Sequence, residues 1–295
     1  LDASGIVRVN GLSVGGSNAR ELPVFATTSV AVGAPNVNWS FNGAQRTWTG
    51  GAGTSDFATA ENWSGSTVPG AEDTVIIPSG ATVVAAEKVE FYSLFMDGGT
   101  ATFAQGFALG GGMDIASGAT LQLDRPSSVA GSATFRSGST LTHGANVTAN
   151  LKAGETNSVD LTVGANLTIE ADAVVKVAGK GFPGGVAPDW GAGSSVSGSG
   201  GSHGGHGSDA VSPNSSRPAY GSIKRPVMLG GGGASTAGGG AVKLTVAGTL
   251  RLDGKIDAEG GYYGGQYSGA GGSVWVTCGT LAGAGWIDVN GGRST

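Results

Sequence analysis

The sequence predicts an all-β fold, a solenoid of short strands interrupted by long glycine-rich loops. An internal repeat predicts it first, because residues 242–261 align with residues 274–292. Short alternating apolar segments separated by turn dipeptides predict it second. Composition is the third observation, since 58 of 295 residues are glycine and no Gly-X-Y period is present. Self-similarity at a spacing of roughly 30 residues is typical of repeat architectures, in which each unit buries its apolar face against its neighbours.

The two copies of the repeat predict which side chains should stack. Leu250 aligns with Leu281, Ile256 with Ile287, and Asp257 with Asp288. A weaker copy at residues 161–169 aligns with residues 244–252, and residues 117–121 resemble residues 137–141. We therefore expect successive turns of one column to superimpose these residues. Residues 1–11 also resemble residues 281–291, so the chain begins on a segment similar to its last repeat.

The chain divides into three parts. Residues 1–42 hold several short apolar segments, which are interpreted as further coils or as an entry strap. Residues 43–84 contain tryptophans and prolines and predict an opening module that covers the first open end of the strand stack. Residues 85–295 predict the solenoid proper, with glycine-rich insertions at 179–240 and 262–272 on one flank.

Charge, cysteine and hydropathy exclude several classes of protein. The net charge of −5 gives no reason to expect nucleic acid or an anionic membrane as a partner. No apolar run is long enough to span a bilayer. Cys278 is the only cysteine, so no intrachain disulfide can form, and its strand-like surroundings predict a buried, inert thiol.

Two stretches of the chain carry motifs with a recognisable pattern. The first contains Trp48, Asn62-Trp63, Val68-Pro69-Gly70 and residues 73–77. The second contains residues 201–207 and the glycine runs before residue 242. The first stretch is similar to modules that open β-helical regions, and both resemble bacterial secreted β-helix surface proteins of the autotransporter-like and adhesin-like kind. The resemblance implies a right-handed parallel β-helix at the cell surface or outside the cell. It implies no particular activity.

A structural role is the leading functional hypothesis. We expect a segment of an adhesin, stalk or fibre that associates with copies of itself, head to tail, or with neighbouring domains of a longer chain. A catalytic role is not expected, because acids are sparse and histidine is rare.

A polysaccharide-binding module is the alternative. Aromatic residues of the glycine-rich segments could stack on sugar rings, and Arg217 could contact an acidic polysaccharide. The aromatic candidates are Trp190, Tyr220, Tyr262, Tyr263 and Tyr267. The same side chains could instead anchor the loops to the solenoid, because glycine supplies no burial of its own.

Metal binding and catalysis are weaker hypotheses. His203 and His206 have a spacing that could place two imidazoles on one metal ion, although a glycine-rich loop does not fix their geometry. Asp257 and Asp288 would stack on adjacent coils, where a pair of acids could bind calcium or catalyse hydrolysis in a polysaccharide lyase or hydrolase. No cofactor is otherwise expected.

Overall fold

The computed structural model describes residues 43–147, 156–185, 199–208, 218–262 and 267–293, together with the backbone of five short strands before residue 43. These early strands are β1 (Val7–Asn10), β2 (Ser13–Val14), β3 (Val24–Thr27), β4 (Val30–Ala31) and β5 (Trp39–Ser40). They form two small parallel sheets, with the strand orders β1-β3-β5 and β2-β4. The first five strands thus already have the parallel, alternating connectivity of stacked coils.

Nineteen further strands follow, with one 3-10 helix (Ala60–Asn62) and no α-helix among the described residues. The strands are β6 (Gln45–Thr47), β7 (Thr74–Ile77), β8 (Thr82–Ala85), β9 (Val89–Phe91), β10 (Ser93–Met96), β11 (Thr100–Phe103), β12 (Phe107–Leu109), β13 (Met113–Ile115), β14 (Thr120–Leu123), β15 (Ser127–Val129), β16 (Ala133–Phe135), β17 (Thr140–Thr142), β18 (Val159–Val163), β19 (Leu167–Ile169), β20 (Val174–Lys176), β21 (Ala241–Leu252), β22 (Lys255–Asp257), β23 (Ser273–Ala282) and β24 (Trp286–Asp288). Within the described residues, no helix has the length and apolarity needed to cross a lipid bilayer.

The strands from β7 onward lie in three parallel stacks. One stack runs β7-β10-β13-β16-β19, a second β8-β11-β14-β17-β20-β22-β24, and a third β9-β12-β15-β18. The long strand β21 joins the first and third stacks, because one part of it pairs with β18 and the other with β19. The last coil adds β23 to β21 and β24 to β22. The fold is therefore an all-β, parallel solenoid-like column.

The register predicted from the repeat is confirmed. Leu250 pairs with Leu281 and Ile256 with Ile287. The weaker copies also stack as aligned, with Leu161 opposite Leu244 and Leu121 opposite Leu141. Positions one coil apart are separated by 19 or 20 residues in the early coils, and by 31 residues in the last.

The core lies inside the column and is built from aligned apolar side chains. Inward positions of the middle coils are almost wholly buried, and each fully buried aliphatic or aromatic side chain contributes roughly 1.5–3 kcal/mol. The inward residues of the second stack are Val83, Ala101, Leu121, Leu141, Val175 and Ile256. Cys278, expected to be buried, lies only partly buried against this core.

Aromatic residues close the beginning of the column. Trp63 contacts Trp48 and Phe57 edge to face, with ring centroids 5.0 Å and 4.9 Å apart. The indole N–H of Trp63 donates to the carbonyl of Phe57 at 2.7 Å, so its polar group is satisfied although the ring is buried. Phe57 in turn stacks on Phe91 of the first full coil. These contacts keep water away from the first rung of the core.

Glycine-rich segments within residues 181–240 and 267–272 contact one another through their backbones. Phe182 N–H donates to Gly230, Gly239 to Ala270, and Ala270 to Gly231. The chains lie so close that a Cβ on Gly238 would lie 2.1 Å from the carbonyl oxygen of Gly230. Glycine is therefore required there by contact distance, and backbone hydrogen bonds provide the cohesion that side chains provide in the column.

We expect Gly238→Ala to lower the free energy of unfolding by about 1–3 kcal/mol, because the added methyl group must displace a hydrogen-bonded backbone. Gly205→Ala is the matched control. The nearest neighbour of its added Cβ would be 3.8 Å away, an ordinary contact. Thermal unfolding followed by circular dichroism measures both. Equal midpoints for the two variants would contradict the close contact at Gly238.

Candidate functional site

The predicted ligand-binding residues fall into two groups. Trp190, Tyr263 and Arg217 lie outside the described residues. Tyr220, Tyr262 and Tyr267 are described, and the structure assigns them different surroundings. The platform of five aromatic residues stays a prediction.

Tyr220 anchors the glycine-rich region. Its hydroxyl donates to the carbonyl of Leu229 at 2.5 Å, and its ring centroid lies 6.3 Å from that of Phe182. Burial raises the pKa of the Tyr220 hydroxyl far above its usual value of 10. Phe182 and Leu229 are themselves buried in a small apolar cluster with Ala241 at the start of β21. Tyr220 thus fastens a glycine-rich segment to the column.

Tyr262 and Tyr267 differ in exposure. The side chain of Tyr262 is 48% exposed, whereas Tyr267 is partly buried. Tyr267 has a positive φ of 68°, which is uncommon for a residue with a side chain. Its carbonyl oxygen also closely approaches Gly233. Of the three described tyrosines, Tyr262 presents the largest surface to a ligand.

His203 is held in one tautomer by the backbone. Its Nδ1 lies 2.8 Å from the carbonyl oxygen of Gly271, which can only accept, so Nδ1 carries the proton. Burial lowers the pKa of His203, and the hydrogen bond to Gly271 only partly opposes this. The imidazole also lies against Tyr220, with ring centroids 4.9 Å apart. Its neighbour His206 is exposed.

No metal cluster forms around these histidines within the described part of the chain. There, no group of three or more histidine, cysteine, aspartate and glutamate side chains could hold a metal ion. His203 uses one ring nitrogen on a backbone carbonyl and is partly buried, whereas His206 is solvated. The arrangement is that of a histidine that joins two glycine-rich segments through the carbonyl of Gly271.

An open cleft of about 510 Å³ lies beside His203 and Tyr220. Its apolar lining includes Ile223 and Pro226 on the glycine-rich side and Val274 and Val289 on the last coil. Serine side chains and glycine backbone line the remainder. Ile223 is 96% exposed at its edge. The cleft can receive an apolar surface, and its walls carry no acid or lysine among the described residues.

The aligned acids are neutralised by bases. Asp257 and Asp288 are register partners, and Lys255 Nζ lies 3.1 Å from Asp257 and 3.6 Å from Asp288. Burial alone would raise the pKa of Asp288, but hydrogen bonds from Asn290 and with Glu259, together with Lys255, lower it overall. A proton donor of a glycosidase needs a raised pKa, so the shift at Asp288 is opposite to that requirement.

A buried polar cluster at His143 was not found from the sequence. His143 is fully buried, its Nδ1 donates to the carbonyl of Gly144 at 2.7 Å, and its Nε2 has no partner among the described residues. Gly240 passes so close to Nε2 that a side chain could not fit there. Lys180 Nζ donates to Thr142 Oγ1 at 2.6 Å and to the carbonyl of His143 at 2.5 Å. The cluster joins β17 to the chain that enters the glycine-rich region.

No family model, curated protein or solved structure matches this chain.

We expect stability to fall as pH falls from about 6.5 to about 4. Burial lowers the pKa of His143 to about 4, with Lys180 adding to this while the Gly144 hydrogen bond and Asp124 oppose it. In the unfolded chain His143 takes up a proton near its usual pKa of 6.5. The contribution of the buried, neutral imidazole to the free energy of unfolding is therefore present above that pH and is lost progressively below it. The full loss in the free energy of unfolding is roughly 3 kcal/mol.

Denaturant unfolding across this pH range measures the effect. His143→Gln should flatten the dependence, whereas the control His206→Gln, at an exposed histidine, should keep it. A slope that is unchanged in His143→Gln would assign the acid sensitivity to other groups.

Proposed function

We propose that this chain is a structural segment of an extracellular surface protein, an adhesin, stalk or fibre. The observation that carries the proposal is the stacking of the core in register. One inward row runs from Val75 through successive coils to Leu281, and a second row ends with Ile256 paired to Ile287. Such a column is extended in one direction and fixes the distance between its two ends. Its side chains are used for stacking, and the acids of the last coils are paired with bases.

Right-handed winding is part of the proposal. Crossovers between parallel strands of one sheet are right-handed in about 98% of cases, because the twist of the strands favours that path. The glycine-rich segments are assigned to loops inserted into the coils that precede β21 and β23. Hydrogen bonds between residues 201 and 268 and between 239 and 270 support a position on one shared flank.

An extracellular location fits the chemistry of the surface. Charged residues are only 13% of the chain, and the large glycine content contributes backbone that can lie close together. Stability comes from strand ladders and does not require disulfides, as the single partly buried cysteine indicates. A catalytic role is not part of the proposal.

Antibodies raised against the folded chain test the location. We expect them to label intact source cells or material shed from them, at a level that permeabilisation does not raise. An antibody against a cytoplasmic protein of the same cells is the control for leakage. Label that requires permeabilisation would overturn the extracellular role.

Polysaccharide binding is a second proposal, favoured by the exposed ring of Tyr262 within a glycine-rich segment. We expect Tyr262→Ala to weaken binding to polygalacturonate roughly tenfold, which corresponds to the loss of one stacking contact. Trp286→Ala is the matched control, because Trp286 is 60% exposed but lies in β24. Calorimetric titration measures both. Equal affinities for the two variants would remove Tyr262 from any sugar site.

A further inference from the structure

The fold leaves one ring nitrogen of His143 without a hydrogen-bond partner. The side chain follows β17 directly and is fully buried, and its Nδ1 donates to the carbonyl of Gly144 at 2.7 Å. Because that carbonyl can only accept, Nδ1 carries the proton and Nε2 holds a lone pair. Nε2 has no partner among the described residues. Buried polar atoms are almost always hydrogen-bonded, so this exception requires a physical explanation.

Gly240, which directly precedes β21, closes the space around Nε2. A Cβ on Gly240 would lie 2.2 Å from Nε2 and 2.8 Å from the Cβ of Val177, so only glycine fits there. The N–H of Gly240 donates to the carbonyl of Val177 at 2.8 Å, and its own carbonyl accepts from the N–H of Ser273 at 3.1 Å. An imidazolium must donate from Nε2 as well as from Nδ1. While Gly240 stays in place, a protonated His143 ring therefore has no acceptor for the proton on Nε2.

A cation beside the ring adds to the cost of a positive charge on it. Lys180 Nζ donates to the carbonyl of His143 at 2.5 Å and to Thr142 Oγ1 at 2.6 Å. Lys176, on β20, is a second base that acts on Lys180, and its carbonyl accepts from Thr142 at 2.6 Å. Burial is the largest cause of the lowered pKa of His143, and Lys180 lowers that pKa further. Strand β20 and the residues after it thus oppose protonation of the ring.

Asp124, which follows β14, is the acid that acts on the ring. Its Oδ1 accepts from the N–H of Gly144 at 2.6 Å and from Gln122 Nε2 at 3.2 Å. These bonds hold the carboxylate on the backbone and on β14, and its effect in raising the pKa of His143 is the smallest of the four causes. The acid therefore does not offset burial, and the docked ring stays neutral well below the usual pKa of a histidine.

Gly240 is also the point at which the glycine-rich region returns to the column. Its bond to Val177 joins the residue after β20 to the residue before β21. Beside it, the N–H of Gly181 donates to the carbonyl of Gly238 at 2.6 Å, and the N–H of Gly238 donates to the carbonyl of Phe182 at 3.0 Å. These bonds lie outside the strands of the column. Moving Gly240 away from the imidazole would therefore separate the glycine-rich segments while the strand ladders stay paired.

We propose that His143 is an acid-operated latch, in which a proton on Nε2 displaces Gly240 and releases residues 181–185 and 229–240 from a column that stays folded. In the released form the ring reaches water and takes up a proton near its usual pKa of 6.5, whereas in the docked form burial holds the pKa of His143 at about 4. Acid therefore favours the released form, and neutralisation restores the docked one. The latch goes beyond the structural role proposed above and does not depend on it.

Hydrogen exchange measured by mass spectrometry tests the latch between pH 7 and pH 4. Rates are corrected for the intrinsic pH dependence with an unstructured reference peptide. We expect the protection of residues 229–240 to fall roughly a hundredfold between pH 6.5 and pH 4, which a pKa shift from 6.5 to about 4 can supply, while β10–β16 keep their protection. Return to pH 7 should restore the protection. Protection that is lost in all strands together, or that is unchanged at pH 4, would overturn the latch.

Two variants separate the latch from general acid sensitivity. His143→Gln carries no titrating ring, so the protection of residues 229–240 should not respond to acid. Gly240→Ala places a methyl group where the imidazole lies, so the same residues should already be released at pH 7. Gly205→Ala is its matched control, because a Cβ there would have no neighbour nearer than 3.8 Å. Residues 229–240 that still open in acid in His143→Gln would overturn the proposal.

The exchange of β10–β16 in the same samples shows whether each variant keeps the column. We expect both His143→Gln and Gly240→Ala to keep it at pH 7. His206→Gln, at an exposed histidine, is a second control and should show the acid response of the unmodified chain. Rapid exchange of every strand in Gly240→Ala at pH 7 would assign the contact to the folding of the column and would contradict a latch.

Discussion

In-register stacking of like residues on parallel strands is the constraint on which the rest of this structure depends. A shift of one residue would turn every inward side chain of a coil to solvent, so the register of each coil is fixed by the one before it. Leu167, Leu250 and Leu281 form one such row. The aromatic contacts of Trp63 cover the first coil of the core, and Ile287 in the last described coil is half exposed. Both observations follow from one rule, which is that an inward residue is buried only when a coil or the aromatic module covers it on each side.

Two kinds of cohesion operate in the chain. In the column, apolar side chains exclude water, and backbone hydrogen bonds follow the strands. In the glycine-rich region the backbones contact each other directly, as Gly230 and Gly238 do, and few side chains are available to bury. Ordering glycine is costly in conformational entropy, so this region depends on anchors. Tyr220, through its hydrogen bond to Leu229, is one of them, and His203, bonded to Gly271, is another.

A sequence repeat indicates which residues stack on one another in the fold. The presence or absence of a repeat therefore determines how much of the structure could be predicted from the sequence. Residues 161–169 and 244–252 share a pattern, so the sequence predicts their stacking, and it predicts that of Ile256 on Ile287 in the same way. His143 has no counterpart in another coil, and its burial results from the path of Gly240 beside it, which no pattern encodes. The hydroxyl of Tyr220 likewise meets a carbonyl nine residues away in an aperiodic segment. Such contacts depend on the course of the chain, and a single sequence does not report them.

The coil bounded by Gly254 and Gly285 has a consequence for how proteins of this design can diversify. Its 31-residue unit pairs with the coil before it through residues that recur in both, Ile256 with Ile287 and Asp257 with Asp288. A tandem duplication of the corresponding gene segment would insert a turn whose two surfaces already fit its neighbours. The length of the column could thus change by unequal recombination, one coil at a time. The sequences of the tryptophan-containing module and of the other glycine contacts would stay the same.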